Sequence, residues 1–144
     1  MKSFRQGQTL IEVIMSIAIA AIVIVALVVL ATSSLRSAQA SLRKSESGKF
    51  ANAGIEAVIY FKNVQGFSAI STGNYSLVGT DAGNTVLEPS SEWVSIVSPS
   101  GLTYQRNIKV INTGGTLDVT ATVKWLDTQG EKQTQVRRLV TDWR

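Results

Sequence analysis

The fold of this chain is decided near its N-terminus by residues 7–31, GQTLIEVIMSIAIAAIVIVALVVLA. From Val13 to Ala31 there are nineteen residues without a charge, and Ser16 is their one polar member. A helix rises ~1.5 Å per residue, so a run of this length crosses the ~30 Å hydrocarbon layer of a membrane. The stretch therefore predicts a membrane-spanning helix.

A single carboxylate, Glu12, stands directly before the apolar run, and Lys2 and Arg5 form a short basic leader that Gly7 ends. A carboxylate that reaches the centre of a membrane costs about 2.5–3.5 kcal/mol on insertion scales. Glu12 therefore needs a function. Together, the basic leader, Gly7, the tract of residues 9–12 and the apolar helix resemble the class III leader of type IV pilins and type II secretion pseudopilins.

The resemblance implies a processing site and an assembly residue. In that family, prepilin peptidase cuts after the glycine, here between Gly7 and Gln8, and methylates the new N-terminus, here the amine of Gln8. The glutamate at the fifth mature position, here Glu12, guides assembly. This chain departs from the family pattern at Gln8, where phenylalanine or methionine is more common.

A physical role for Glu12 can be stated from the residues alone. After a cut before Gln8, the free amine carries about one positive charge at neutral pH, and Glu12 lies one helical turn away. In a filament core of low dielectric constant, Glu12 of one subunit and the amine of its neighbour would neutralise charges that are costly alone. We treat this pairing as a hypothesis about assembly.

Two other interpretations of the N-terminus stay open. An ordinary secretory signal has an apolar core of about 7–15 residues followed by a small-residue cut site, and residues 29–31 would pass as such a site. A single-pass anchor that is never cut is the second. Positive charge on both sides of the apolar run leaves the orientation undecided, so a head outside the cytoplasm follows from the resemblance alone.

Composition excludes several kinds of chemistry. The chain has 144 residues, no cysteine and no histidine, which removes thiol nucleophiles, histidine bases, disulfides and Cys/His zinc sites. Loss of Lys2 and Arg5 with the leader would reduce the net charge from +4 to +2, a weak signature for a nucleic-acid binder. We therefore predict no catalytic residues, no cofactor and no metal, and nucleic acid is an unsupported partner.

Helical periodicity continues beyond the apolar run. We predict a helix from about Thr9 to about Asn63, because no proline interrupts it and apolar residues recur at spacings of three and four. Residues 1–7 would be the leader, 8–31 the membrane or filament-core helix, and 32–63 an amphipathic helix that continues into a head of residues 64–144. The tract Gly54-Ile55-Glu56 also resembles the corresponding helix of some minor pilins. Glu56 is predicted to be a solvated carboxylate.

The head is predicted to be an antiparallel β-sheet. A connecting loop would cover residues 64–91, with one short strand from Tyr75 to Val78, and strands would lie near 93–97, 102–111, 117–126 and 133–140. Period-2 alternation from Leu117 to Trp125 is typical of a half-buried strand. The fold class is thus α+β and pilin-like, a long N-terminal helix packed on a small sheet.

The alternation also predicts the strand register. Four apolar pairs fall on one face if the turn is centred on residues 113–114: Val110 with Leu117, Ile108 with Val119, Tyr104 with Val123, and Leu102 with Trp125. Arg106 would pack its stem and keep its charged group in water. A bulge near Arg137-Arg138 would reconcile the last strand.

The three tryptophans of the head could form a ligand platform, and three of its arginines could contact DNA or a neighbouring subunit, but a structural role is the favoured prediction for both groups. Of the three tryptophans, Trp125 is predicted in the core, with Trp93 and Trp143 at sheet ends. Arg137, Arg138 and Arg144 are read as solvated charges.

These features predict a structural protein rather than an enzyme. By its resemblance the chain would be a structural subunit of a type IV pilus, a minor subunit rather than the major one. Its partners would be other pilin subunits, prepilin peptidase, the pilus assembly platform protein and, before assembly, lipid of the inner (cytoplasmic) membrane. After assembly it would lie in a pilus at the cell surface. A pseudopilin of a type II secretion or competence system, and a membrane-anchored binding module that never polymerises, are the alternatives.

Overall fold

The computed structural model describes residues 5–78, 86–127 and 130–142. Within these residues, one helix, α1 (Arg5–Gln65), is followed by a single 3₁₀ turn, Phe67–Ala69, and by six strands. The strands are β1 (Gly73–Val78), β2 (Val86–Pro89), β3 (Val94–Val97), β4 (Thr103–Asn112), β5 (Thr116–Asp127) and β6 (Gly130–Thr141). The chain divides into two compact units, residues 1–42 and residues 43–144. The predicted α+β class with one long N-terminal helix is confirmed.

All six strands form one antiparallel sheet. Its order is β2-β1-β4-β5-β6, and β3 pairs with a separate part of β4. The last three strands are the predicted meander. The region from 64 to 91, predicted as a loop with one strand, instead holds the 3₁₀ turn, β1 and β2. Its glycine and serine content obscured β2, whose four residues give no long alternation.

The predicted register between β4 and β5 is wrong by two residues. Val110 faces Val119, Ile108 faces Ala121 and Tyr104 faces Trp125. The turn is centred on Gly114-Gly115 because Gly114 takes a φ of 81°, a conformation that the β-branched Thr113 would adopt only with strain. A shift of two residues keeps every side chain on the same face, so the predicted core of these strands survives the error.

The side chain of Asn112 supports this turn. Its Oδ1 accepts a hydrogen bond from the Gly114 N–H at 2.9 Å, and its Nδ2 donates to the Ile70 carbonyl at 2.7 Å. The Thr113 N–H donates to the Thr116 carbonyl at 3.1 Å. Hydrogen bonds therefore hold the turn together internally and also join it to the segment that follows α1.

The bulge predicted near Arg137-Arg138 is absent, since β6 pairs with β5 in one register from Gly130 to Thr141. Val136 and Val140 pack against the core, as predicted, and Leu139 is exposed on the other face. Arg138 lies on the core side of the sheet and is nevertheless exposed. It can be, because β6 is the edge strand and a long side chain there reaches water.

One face of the sheet packs on the last part of α1. Helix residues Ala51, Ile55 and Val58 are fully buried against Ile108, Val119 and their neighbours. Full burial of each large aliphatic side chain stabilises the fold by roughly 1.5–3 kcal/mol. Leu35 and Leu42 remain more than half exposed. The buried part of the helix therefore begins after Leu42.

Gly54 is where the helix comes closest to the sheet. A Cβ atom at this position would lie 3.1 Å from Ile108 Cδ1 and 3.2 Å from Arg106 Cδ. Arg106 passes beneath the helix here, is only 9% exposed, and donates from Nη1 to the Phe50 carbonyl at 3.2 Å. The prediction that its charged group stays in water is wrong, because Val123 and Val94 flank it on both neighbouring strands. Burial lowers the pKa of the Arg106 guanidinium.

Polar contacts fix the beginning of the packed helix. Tyr104 Oη donates to Glu46 Oε2 at 2.8 Å, Ser47 Oγ donates to Thr134 Oγ1 at 2.9 Å, and Arg43 forms an ion pair with Asp127. These partners lie on β4, on β6 and at the end of β5. One helical turn is thus attached to three strands, which defines both the rotation and the position of the helix on the sheet.

The close approach at Gly54 is testable with two matched substitutions. We expect Gly48→Ala to stabilise the protein by about 0.5–1 kcal/mol, because a Cβ there meets no atom within 4 Å and alanine favours a helix. Gly54→Ala carries the same helical gain but must displace Ile108 and Arg106, and overpacking of this kind costs about 1–3 kcal/mol. Denaturant unfolding of the full-length protein in detergent measures both. Equal stabilisation by the two alanines would contradict the packing described.

The hydrogen bond between Tyr104 and Glu46 predicts a pH dependence at high pH. Burial, and then the Glu46 carboxylate, raise the pKa of Tyr104 from 10.0 to about 12. A raised pKa in the folded state means that the stabilisation is complete below pH 10 and is lost as the pH rises towards 12. We expect the stability difference between the wild type and Tyr104→Phe to shrink over this range. In ultraviolet titrations, the wild type should show one phenolate signal that Tyr104→Phe lacks, and this signal should appear near pH 12. Its appearance near pH 10 would refute the assignment.

Candidate functional site

The candidate site is the N-terminal part of α1, where the sequence placed the cut and the assembly residue. Gly7 and Gln8 lie within the first turns of the helix. Glu12 follows one turn later, with an exposed side chain. Its carboxylate forms no ion pair with another part of the chain that the structure describes. A charged group at the start of an apolar helix is therefore available to a partner outside the chain.

The apolar helix after Glu12 is exposed on every side. Its large residues show between 50% and 70% of their surface, and none of the most apolar window is buried. A helix that is apolar all round is unstable in water and needs lipid or other helices as its surroundings. The core helix of a soluble protein would be mostly buried, so that interpretation does not fit.

The hydroxyl groups of Ser16, within the apolar run, and of Thr32, directly after it, donate hydrogen bonds to carbonyl groups of the same helix. Ser16 Oγ donates to the Glu12 carbonyl at 2.8 Å, and Thr32 Oγ1 donates to the Val29 carbonyl at 2.9 Å. Backbone groups are satisfied by the helix itself. The surface from Val13 to Ala31 is thus apolar, and the hydroxyl of its one polar residue, Ser16, is already hydrogen-bonded. Such a surface suits a hydrocarbon environment or a packed helical bundle.

Trp93 and Trp125, the two tryptophans among the described residues, lie on opposite faces of the sheet and form no common platform. Trp125 packs at 6.1 Å from the ring of Tyr104 on the helix side of the sheet. Lys124, its neighbour in β5, points to the opposite face, where its Nζ lies 4.4 Å from the centre of the Trp93 ring. Trp125 therefore packs against the core, as predicted, and Trp93 lies on the other face, where it contacts Lys124 just before β3. Trp143 and Arg144 lie outside the described residues.

Charged groups of the head pair with one another on the surface. Arg137 donates to Asp118 through two nitrogens, at 2.7 and 2.5 Å, and these hydrogen bonds lower the pKa of Asp118 and raise that of Arg137. Glu56 is exposed, as predicted. Within residues 5–78, 86–127 and 130–142, no three acidic side chains come together as metal ligands.

Sequence reasoning did not single out Glu46, although it anchors the head. A carboxylate in an amphipathic helix is usually solvated, and its partners Tyr104 and Ser100 lie more than fifty residues away. No local pattern could have linked them. The one local signal was that Glu46 lies one turn before Phe50 and Ala51, where apolar residues of the helix pack on the core.

Comparison with known proteins gives one family match. Residues 2–28 match the model described as the prokaryotic N-terminal methylation motif. No curated protein and no solved structure matches the chain. The matched span includes Gly7, Gln8, Glu12 and most of the apolar run. Residues 2–28 therefore carry the class III signal of type IV pilins and pseudopilins, and this signal together with the apolar helix supports a type IV pilin-like or pseudopilin-like subunit.

Proposed function

We propose that this protein is a minor structural subunit of a type IV pilus that is cut between Gly7 and Gln8 and assembled through its apolar helix. The observation that carries the proposal is the methylation motif over residues 2–28, joined to a helix that is apolar and exposed on all sides. In this proposal residues 1–7 are removed, residues 8–31 form the membrane and filament-core helix, and residues 32–63 continue that helix into the head.

The apolar helix has two environments that protect it from water. Before assembly it would cross the cytoplasmic membrane once, and after assembly it would pack among the helices of neighbouring subunits. Transfer between the two exchanges lipid contacts for helix contacts and exposes no apolar surface. The transfer therefore needs no unfolding, only extraction from the membrane by the assembly platform protein.

Glu12 supplies the specificity that apolar packing lacks. Van der Waals contact between apolar helices permits many axial registers, but a carboxylate and an amine in a medium of low dielectric constant attract strongly at only one. The methylated amine of Gln8 in a neighbouring subunit is the proposed partner. Because both charges would be buried, each is costly without the other, and the pair selects the register in which both are neutralised.

The choice of a minor subunit is supported by the tract Gly54-Ile55-Glu56, which is similar to that of some minor pilins. A pseudopilin of a type II secretion or competence system is the second candidate, since the same motif and helix favour it equally. A protein that incorporates into filaments sheared from the cell surface is a pilin. One that stays with the cell envelope, although processed, is a pseudopilin.

The cleavage site predicts the mass of the mature protein. Mass spectrometry of the protein from its native membrane should show a chain that begins at a methylated Gln8. We expect Gly7→Val to retain the leader, because the peptidase must accommodate the residue before the cut, whereas Gln6→Ala should be processed normally. A wild-type chain that still begins at Met1, or one that lacks everything up to Ala31, would exclude the proposal.

Loss of the Glu12 charge should impair assembly without affecting insertion. We expect Glu12→Gln to enter filaments at least about tenfold less than the wild type, which corresponds to about 1.4 kcal/mol of lost pairing. Glu56→Gln removes an exposed carboxylate from the same helix and serves as the control. Immunoblots of sheared filaments and of membranes measure both pools. Normal incorporation of Glu12→Gln would show that the charge pair is not used.

A further inference from the structure

The last strand leaves one side of the sheet open. Strand β6 is twelve residues long, pairs with β5 along its whole length, and ends the strand order of the sheet. In the part of the chain that the structure describes, no strand lies on its other side. Natural proteins protect such edges with bulges, proline, short strands or charged side chains. Between Gly130 and Thr141 β6 has no bulge and no proline, so its protection consists of charged side chains, which disfavour a strand of like charge and suit one of opposite charge.

Two hydrogen bonds establish which backbone groups face outward. The Thr113 N–H donates to the Thr116 carbonyl, and the Asp142 N–H donates to the Gly115 carbonyl. In an antiparallel ladder, alternate residues direct both N–H and C=O to the same neighbour. Asp142 is bonded to Gly115 at the β5 side of this ladder, so the even-numbered residues of β6, which alternate in the same phase, direct their backbone groups to β5. The odd-numbered residues direct their backbone groups away from the sheet; they are Glu131, Gln133, Gln135, Arg137, Leu139 and Thr141.

The open edge is also positively charged. It carries three cationic side chains and one anionic one. Glu131 pairs with Lys124, and Arg137 pairs with Asp118. Lys132 and Arg138 form no ion pair within the described ranges, and both are exposed. They lie on the same side of the sheet, six residues apart, which is about 20 Å along a strand.

We propose that β6 binds an extended acidic segment of another polypeptide, which adds to the sheet as a further antiparallel strand. The outward backbone groups at alternate residues would pair with the backbone of that segment, as in other strand additions. Its carboxylates would face Lys132 and Arg138, and apolar residues between them would meet Val136. A second copy of β6 carries the same excess of positive charge, which disfavours self-pairing. The inference concerns the head alone and does not depend on cleavage or on filament assembly.

The backbone pattern allows a sharp test at Gln135. Gln135→Pro removes an outward N–H without removing a bond to β5, and proline is tolerated on an edge strand. Gln135→Ala removes the same side chain and keeps the N–H, so it is the matched control. The probe is the fluorescent peptide Thr-Glu-Thr-Val-Thr-Val-Thr-Glu-Thr, whose glutamates match the spacing of Lys132 and Arg138. Fluorescence anisotropy measures its binding to the full-length protein in detergent.

We expect Gln135→Pro to weaken peptide binding by at least about tenfold and Gln135→Ala to change it by less than about twofold, since one backbone hydrogen bond and the fit beside it are lost. Circular dichroism confirms that both variants fold. The unaltered protein supplies a second test: the same peptide with N-methylated backbone amides, or with lysine in place of glutamate, should bind weakly. The double variant Lys132→Glu, Arg138→Glu should prefer the lysine peptide.

Three results would overturn the inference. Equal binding of the peptide by Gln135→Pro and Gln135→Ala would show that the edge is not used. Indifference to N-methylation would show that the backbone of the peptide is not paired. Dimerisation of the wild type that Gln135→Pro abolishes would show that a second copy is the occupant.

Discussion

The structure depends on one constraint, which is that an apolar helix surface must be kept from water. From Val13 to Ala31 the helix is apolar around its whole circumference, and the described chain offers nothing to cover it. Lipid or neighbouring helices must therefore cover it. In the proposed function, the other features of the N-terminus serve this need: removal of the leader and the single carboxylate of Glu12 would allow such a helix to be held in a membrane and then assembled in one register.

The head meets the same constraint in a different way. Its part of the helix has only one apolar face, and the sheet covers that face. Gly54 lets the backbone of the helix approach the sheet closely enough for Arg106 to donate to a helix carbonyl. Glu46, Ser47 and Arg43 then attach one turn of the helix to three strands. Apolar burial supplies most of the stability, while these directional contacts select a single arrangement.

The two faces and two edges of the sheet differ in what they can do. One face is buried beneath the helix, and the other carries paired surface charges such as Asp118 with Arg137. The opposite edge consists of the four-residue strands β2 and β3, and β2 contains Pro89; both features limit strand addition. The edge at β6 is long and regular, so it is the side of the head at which another chain can pair.

The sequence by itself determined the α+β fold class and the pilin-type leader signal of this protein. The apolar run, Glu12 and the basic leader are local patterns, and a long helix follows from local periodicity, as does the alternation of β5. Only the tertiary structure decided the register of β4 and β5, because that depends on which residue of the turn takes a positive φ. The burial of Arg106, the partners of Glu46 and the open edge of β6 were decided there too. Each of these arises from residues that are distant in sequence and adjacent in space, and no local pattern records such a contact.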